Sequence, residues 1–374
     1  MTLRRLSATS FRNLQAVDIE LSPQLNIIYG DNGSGKTSLL ESISILSLGR
    51  SFRSRKYKHM IQHEAEDYTV FGQVECGGTA IPVGINRHRN GQAVIKMGGK
   101  NCSSAAQLAE TLPIRIMNGH SFQLLEGGPV ERRKYIDWLV FHVEHEFYQA
   151  WRSYEKCLKQ RNSLLRRDKI DPLLMAPWDR EIALLANRLD HFRHSSFRLL
   201  ETVFKQLISE FEGLKGVRLS YYRGWDKDTD YSDLLLQHLD RDRELGYTRQ
   251  GPHRADIRVL VEKQPAVELL SRGQQKIVVS ALLIAQGMVF YETRKRGCLY
   301  LIDDLPAELD ARFRSQLAEW LSRMETQIFV TGVEKNILLD AWRTAGKLPD
   351  SHRVFHVKHG AIQQEGAEIN TVPL

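Results

Sequence analysis

Three stretches of this chain carry residue types able to bind and cleave a phosphoanhydride. The first is Gly30-Asp31-Asn32-Gly33-Ser34-Gly35-Lys36-Thr37, followed by Ser38. It has the spacing G-x-x-x-x-G-K-T, the Walker A pattern of a phosphate-binding loop. Glycines at these positions let backbone N–H groups close around β- and γ-phosphates with no Cβ in the way. Lys36 is expected to neutralise phosphate oxygens, and Thr37 to offer its hydroxyl to Mg²⁺. The alternative is a glycine-rich turn that binds nothing. The flanks argue against it. Leu25-Asn26-Ile27-Ile28-Tyr29 reads as a short buried strand, and Ser38-Leu39-Leu40-Glu41-Ser42-Ile43 as the start of a helix, whose N-terminus favours an anion.

The second stretch is Leu270-Ser271-Arg272-Gly273-Gln274-Gln275-Lys276, just before an apolar helix expected over Ile277 to Tyr291. Ser-x-Gly-Gln at a helix start can present a hydroxyl and free N–H groups to a phosphate, although serine is also an ordinary N-cap. The third is Cys298-Leu299-Tyr300-Leu301-Ile302-Asp303-Asp304, an apolar strand ending in two acids. This is Walker B grammar. A strand beside the loop strand carries Asp303 to the Mg²⁺, and Asp304 positions or deprotonates the attacking water. Ala307-Glu308-Leu309-Asp310 follows, then a helix. Thr326 to Gly332 reads as another buried strand, with Thr331 either sensing the γ-phosphate or simply ending the strand.

The elements that must position these groups follow from hydrophobic period and turn residues. Two alternating runs between Leu3 and Leu21, around Ser10-Phe11-Arg12-Asn13, predict an antiparallel pair. Tyr68 to Lys100 predicts a β meander turning at Gly77-Gly78 and Gly98-Gly99, with Leu112 to Met117 as one more strand of the same sheet. From Pro129 to about Arg167 the period is helical. Asp171-Pro172 and Ala176-Pro177 break it, and a second amphipathic helix carries Ile182, Leu185, Leu189, Phe192, Leu199 and Val203. The pair predicts a helical hairpin, each arm too short for a long coiled coil. Arg152, Lys156, Lys159 and Arg166 read first as a solvated helix face and second as a nucleic-acid stripe. Val217 to Tyr222 is expected as a strand, Gly224 to Asp242 as a polar exposed segment, Gly251 to Asp256 as a turn, and Ile257 to Val261 as a strand. The run Gly49 to Lys58 holds Arg50, Arg53, Arg55, Lys56 and Lys58 with Phe52 and Tyr57 interleaved and no acid. It reads equally as a grip on a nucleic-acid backbone and as a solvated loop.

Composition narrows the class. The chain of 374 residues suffices for two domains, or one with a large insertion. Its 42% hydrophobic content supports a globular core. No run looks like the ~20 apolar residues of a membrane span, and Met1 to Ser7 reads as a first strand rather than a leader. Cys76, Cys102, Cys157 and Cys298 form no CxxC pair, which fits a reduced, cytoplasmic chain without structural zinc. A net charge of +7 favours a polyanionic partner only mildly.

The order Walker A, long insertion, Ser-x-Gly-Gln, Walker B, Ala-Glu-Leu-Asp is similar to the ABC-type ATPase heads of the SMC class. Phe11-Arg12-Asn13-Leu14, the loop Gly30–Ser38, Gly49-Arg50-Ser51-Phe52-Arg53, Gly128-Pro129 with Arg132-Arg133 and Asp137, Lys159-Gln160-Arg161-Asn162 and Gly251-Pro252-His253-Arg254 stand in that order. With Ser271 to Lys276 and Asp303-Asp304, the pattern closely resembles the RecF family of bacterial recombination mediators. The likeness runs from Leu3 to about Thr331 and thins beyond it.

That resemblance implies an α/β fold: an ABC-type P-loop ATPase head with a mixed β-sheet and an inserted, mostly α-helical second lobe. The head is expected over 1–117 and 246–374, and the lobe over 118–245. It implies ATP and Mg²⁺ as cofactors. Gly30 to Ser38 would bind ATP, Lys36 and Asp304 would serve catalysis, and Thr37 and Asp303 would hold Mg²⁺. Ser271, Arg272, Gly273 and Gln274 would reach the ATP of a second subunit, giving an ATP-dependent homodimer. Implied partners are double-stranded DNA, single-strand/double-strand junctions, and RecR with RecO in loading RecA, with no membrane. Arg50, Arg53, Arg55 and Lys56 are the DNA-contacting candidates. Slow hydrolysis would release the dimer. Three positions depart from the family pattern. Asn118-Gly119-His120 replaces a proline and an acid, Ala255 replaces an acid, and Asp304 stands where related heads use Glu; roles for Gln123 and Asp256 stay open. Two other classes compete: the nucleotide-binding subunit of a transporter, and the head of a chromosome-organising complex. Thr331-Gly332 in place of the transporter histidine disfavours the first, and the short insertion disfavours the second.

Overall fold

The computed structural model describes residues 1–54, 56–102, 104–167, 172–305 and 309–365. The chain divides into two compact units, Met1–Ser121 with Phe290–Leu374, and Phe122–Val289.

The first half of unit one runs β1 (Thr2–Thr9), β2 (Val17–Glu20), β3 (Leu25–Tyr29), α1 (Lys36–Leu48), β4 (Asp67–Cys76), β5 (Thr79–His88), β6 (Ala93–Met97), β7 (Lys100–Asn101), α2 (Ala105–Thr111) and β8 (Ile114–Met117). Unit two holds α3 (Gln123–Glu126), α4 (Pro129–Val143), α5 (Phe147–Leu165), α6 (Pro172–Ser209), β9 (Val217–Tyr222), α7 (Tyr231–Gln237), α8 (Leu239–Leu245), β10 (Asp256–Val261), β11 (Gln264–Pro265) and α9 (Ala266–Leu269). The second boundary falls within α10 (Arg272–Arg294). Unit one then resumes with β12 (Leu299–Ile302), α11 (Ala311–Ser322), β13 (Gln327–Gly332), α12 (Lys335–Thr344), β14 (His352–Lys358) and β15 (Ala361–Gln364).

Unit one contains two six-stranded sheets. One is antiparallel, ordered β2-β1-β4-β5-β6-β7. The other is ordered β15-β14-β3-β13-β12-β8, parallel apart from β15. Helix α1 packs against both, so Leu39, Leu40, Ile43, Ile45 and Leu46 are buried together with Glu41, Ser42 and Ser44. A helix covered on all sides needs no polar face, which explains its small and apolar residues, interrupted only by the paired Glu41.

Several expectations are corrected here. Leu112 to Met117 does not extend the meander: α2 carries the chain away after β7, and β8 pairs with β12 in the parallel sheet. The Walker B strand β12 is not beside β3, because β13 lies between them and hydrogen-bonds to both. Of the two expected breaks only the second fails: α5 ends at Leu165 and α6 starts at Pro172, but α6 then runs through Pro177 for 38 residues. Asp171 lies outside the described residues. By length and composition α10 is apolar enough to cross a bilayer, contrary to the reading of the sequence, with 67% of that window buried.

The second domain boundary also differs. Residues 246–289 belong to unit two, because β10 pairs antiparallel with β9 along its whole length. Asp256 on β10 also takes both arms of Arg132 from α4, at 2.8 and 3.1 Å. Gly224 to Asp242 is exposed only in part: Asp226 to Asp228, Ser232 and Asp233 face solvent, as expected, but the segment also contributes to the core. Trp225, Tyr231 and Asp242 are buried, and the Trp225 and Tyr231 rings lie 4.7 Å apart.

The polar motifs of unit two form one buried network. Arg161, fully buried, donates to Asp179 at 2.7 Å, and to Asp242 and Thr248 at 2.8 Å each. Arg193, also fully buried, holds Asp137 through two bonds of 2.7 and 2.9 Å and donates to the Pro252 carbonyl at 2.7 Å. Each positive charge thus has an acid and further acceptors, as a buried guanidinium requires. Gly251 must be glycine: its φ is +132° and a Cβ would stand 2.2 Å from the Tyr231 hydroxyl.

His253 titrates against this network. Its Nε2–H donates to the Thr248 carbonyl at 2.9 Å, which leaves Nδ1 to accept from the Tyr154 hydroxyl at 2.7 Å. Burial, with Arg254 and Arg133 nearby, pushes the ring down from 6.5 to about 4. The unfolded chain therefore takes up a proton below about 6.5 that the fold refuses until about 4. Stability is full above that window and falls as pH falls through it. Urea unfolding between pH 7 and pH 4 should show this loss, and His253→Asn should flatten it; an unchanged pH slope in the variant would refute the assignment.

Candidate functional site

The phosphate loop leaves the end of β3 and enters α1 with three glycines at φ of +147° (Gly30), +78° (Gly33) and +122° (Gly35). A Cβ on Gly30 would sit 2.2 Å from the Val357 carbonyl oxygen of β14, so the loop and that strand approach as closely as bare backbone allows. Gly360 after β14 donates its N–H to the Ser34 carbonyl at 2.8 Å. Asn13 supports the loop from the other side, donating to the Gly33 carbonyl at 3.0 Å and accepting from Ser38 Oγ at 2.7 Å.

Lys36 folds back over the loop. Its ammonium donates to the carbonyls of Gly30 and Asp31 at 2.7 and 2.9 Å. Burial lowers its pKa, while Asp304, Asp303 and Asp31 oppose that shift. The Ser34 hydroxyl is buried and has no hydrogen-bond partner among the described residues. The first backbone N–H groups of a helix have no acceptor within it. A ring of loop and helix amides, an ammonium and an unpartnered hydroxyl fits a polyphosphate.

The parallel sheet brings the Walker B acids to the same place. Thr37 Oγ1 donates to Asp303 Oδ1 at 3.0 Å. Thr331, fully buried at the end of β13, donates to the same oxygen at 2.9 Å and accepts the Asp304 N–H at 2.8 Å. Asp304 is exposed and has φ of +55°, a left-handed conformation that Asp tolerates better than most residues. Thr37 and Asp303 offer hard oxygen donors, the chemistry Mg²⁺ takes. Among the described residues no group of three or more His, Cys, Asp or Glu could hold a metal.

The basic segment is anchored from beneath. Glu41, fully buried on α1, receives both arms of Arg12 at 2.9 and 2.6 Å and the Ser51 hydroxyl. Ser51 Oγ in turn accepts the N–H groups of Arg53 and Ser54 at 2.9 and 3.0 Å. Arg50, Arg53 and Lys56 are exposed above this anchor. Arg55, and Ala307 and Glu308 of the Ala-Glu-Leu-Asp segment, lie outside the described residues. Asp310 N-caps α11, accepting from the Phe313 N–H at 2.8 Å.

In unit two, Ser271 starts α10. It and Gln274 cap each other, with Ser271 N–H to Gln274 Oε1 at 2.9 Å and Gln274 N–H to Ser271 Oγ at 3.3 Å. Ser271, Arg272 and Gly273 are exposed, and a Cβ on Gly273 would meet nothing within 4 Å. Arg272 pairs with Glu126. Asn13, Gly360 and the anchoring Glu41 were missed as parts of the site. Only the Phe11-Arg12-Asn13 string hinted at the first, and nothing marked Gly360.

Comparison with known proteins adds the family. Residues 2–356 match the model described as RecF/RecN/SMC N terminal domain. The chain is 50% identical over 363 residues to the DNA replication and repair protein RecF of Cellvibrio japonicus, covering 97% of this chain and 99% of that protein. This protein belongs to the RecF family. Its likeness to RecF of Pseudomonas aeruginosa PAO1 is 48%, covering 97% of this chain and 98% of that one. The fold agrees with that of a solved RecF, described as the recombination mediator with ATP in the RecFOR pathway: TM-score 0.84, 24% identity, 97% and 99% coverage. An SMC head bound to the C-winged helix domain of ScpA follows at TM-score 0.61 and 14% identity, covering 98% of each chain. The ABC-type head with a helical second part is therefore the fold of this RecF family member, and its job is that of a DNA replication and repair protein. The transporter and chromosome-complex alternatives are set aside.

Proposed function

We propose that this protein is an ATP-gated dimer that holds duplex DNA at or near single-strand gaps in the cytoplasm and helps RecR and RecO load RecA there. One observation carries the reading: Thr37 and Asp303 meet at 3.0 Å beside the Lys36 loop, with Asp304 next in the chain. Lys36 and the amides of Gly30 to Ser38 would hold the ATP phosphates, and Thr37 and Asp303 would hold Mg²⁺, which offsets phosphate charge when bound. Asp304 would take a proton from, or orient, the attacking water. Hydrolysis would be slow, stimulated by DNA, and would end the dimer's stay.

Ser271 to Gln274 would complete the partner's site. An exposed serine at a helix N-terminus, with open space beside Gly273, supports that role, because such an end attracts a phosphate. Exposed Arg50, Arg53 and Lys56, together with Arg55, supply the proposed DNA contact. Sedimentation with and without ATP–Mg²⁺, and then with a gapped duplex, tests the whole reading. The expected result is a monomer that dimerises only with ATP and then carries the duplex. A monomer under all conditions would sink it. Ser271→Arg should bind ATP as the native chain does and fail to dimerise, and dimers persisting in that variant would count against the composite site.

A further inference from the structure

We infer that Thr331 is a positioning residue that sets both Walker B acids, and with them the divalent-cation affinity of the site. The inference deepens the ATPase reading and rests on it. Thr331 stands on β13, the strand between the phosphate-loop strand β3 and the acid-bearing strand β12. β12 pairs with β13 as far as Ile302 opposite Val330, and Thr331 is the next residue. Its hydroxyl therefore lies beside the acids just where their own strand has ended.

A hydroxyl has one proton and can also accept. The proton goes to Asp303 Oδ1 at 2.9 Å, and the lone pair takes the Asp304 N–H at 2.8 Å. Both partners gain. Asp303 Oδ1 already receives the Thr37 hydroxyl at 3.0 Å, so two donors, one from the first turn of α1 and one from β13, fix that carboxylate in rotation. Asp303 Oδ2 takes no protein hydrogen bond among the described residues, which leaves it to a cation. For Asp304 the bond holds an N–H in a backbone turned to φ +55°. That geometry costs energy and persists only where its surroundings enforce it. Thr331 is fully buried, so its hydroxyl makes both bonds without competition from water on its own side. The side chain thus holds the two acids in one fixed relation, rather than sensing the γ-phosphate or merely ending a strand.

Thr331→Val removes the hydroxyl at nearly constant volume, and Thr331→Ser keeps it. Binding of a fluorescent ATP analogue is measured in EDTA and across a Mg²⁺ titration, alongside turnover and urea unfolding. In Thr331→Val the Mg²⁺ midpoint should rise by about tenfold or more, the scale of losing a partner of a metal ligand. Turnover should fall, binding in EDTA should match the native chain, and Thr331→Ser should restore both. A Val variant with a native Mg²⁺ midpoint overturns the inference. So does one that loses binding equally in EDTA, since that marks a packing role. If the Val chain does not fold, Thr331→Ala read in the same way decides. The midpoint is read without hydrolysis, so native chains that bind ATP–Mg²⁺ but never turn over would fail the ATPase reading and leave this test intact.

Discussion

Asp304→Asn should slow ATP hydrolysis by roughly 10²–10⁴-fold, the usual contribution of a positioned general base, while ATP still binds. The structure makes this substitution unusually clean. The residue sits at φ +55°, and Asn is among the few side chains that accept a left-handed backbone. The N–H bond to Thr331 does not depend on the side chain, so the turn survives the change. What is lost is the ability to take a proton. The variant should bind ATP–Mg²⁺ with near-native affinity, form the dimer and then fail to leave the duplex. Single-turnover hydrolysis and dissociation from a gapped duplex measure the two halves. Native turnover in Asp304→Asn would hand the base role to another group.

Lys36→Ala should lower ATP affinity on the order of a hundredfold or more, since charge-assisted bonds from the ammonium to two phosphate oxygens would each be worth about 1.5–3 kcal/mol. The ammonium is held in place by the carbonyls of Gly30 and Asp31, so it is already aimed into the loop. Removing it also strips those carbonyls of their donor and loosens the turn. Lys36→Met loses the same donor but keeps most of the aliphatic stem, so comparing it with Lys36→Ala isolates the packing of that stem. Both variants should lose nucleotide, and the Ala form should lose more stability in urea. Nucleotide titration giving native affinity in Lys36→Met would refute the assignment.

Much of this was legible in the residues, for reasons that differ from one to another. Gly30 to Thr37 could be read because the motif is local: strand, loop and helix are consecutive, and each glycine answers a backbone demand. Asp303 and Asp304 could be read because an apolar run must be buried and its polar tip must surface. What could not be read is pairing. No local period shows that β13 slots between β3 and β12, or that Ile114 to Met117 leaves the meander for the parallel sheet. Trp225 and Tyr231 were misjudged because their neighbours are polar, and only the packed rings show them as core. Gly360 was invisible because a turn glycine near the end of a chain looks like any other. Several strings that marked the family, such as Lys159 to Asn162 and Gly251 to Arg254, prove to be joints of the buried network in unit two.

The place of β3 in its sheet also governs how the chain can be made. Its neighbours on either side are β13 and β14, residues 327–332 and 352–358, while β3 itself spans 25–29. During synthesis the phosphate-loop strand leaves the ribosome hundreds of residues before either neighbour exists. It waits with both edges bare while all of unit two is translated. Contacts this distant in sequence form late and slowly, and an unpaired apolar strand invites aggregation in the meantime. The phosphate loop is thus written some three hundred residues before the strands and acids that complete its site.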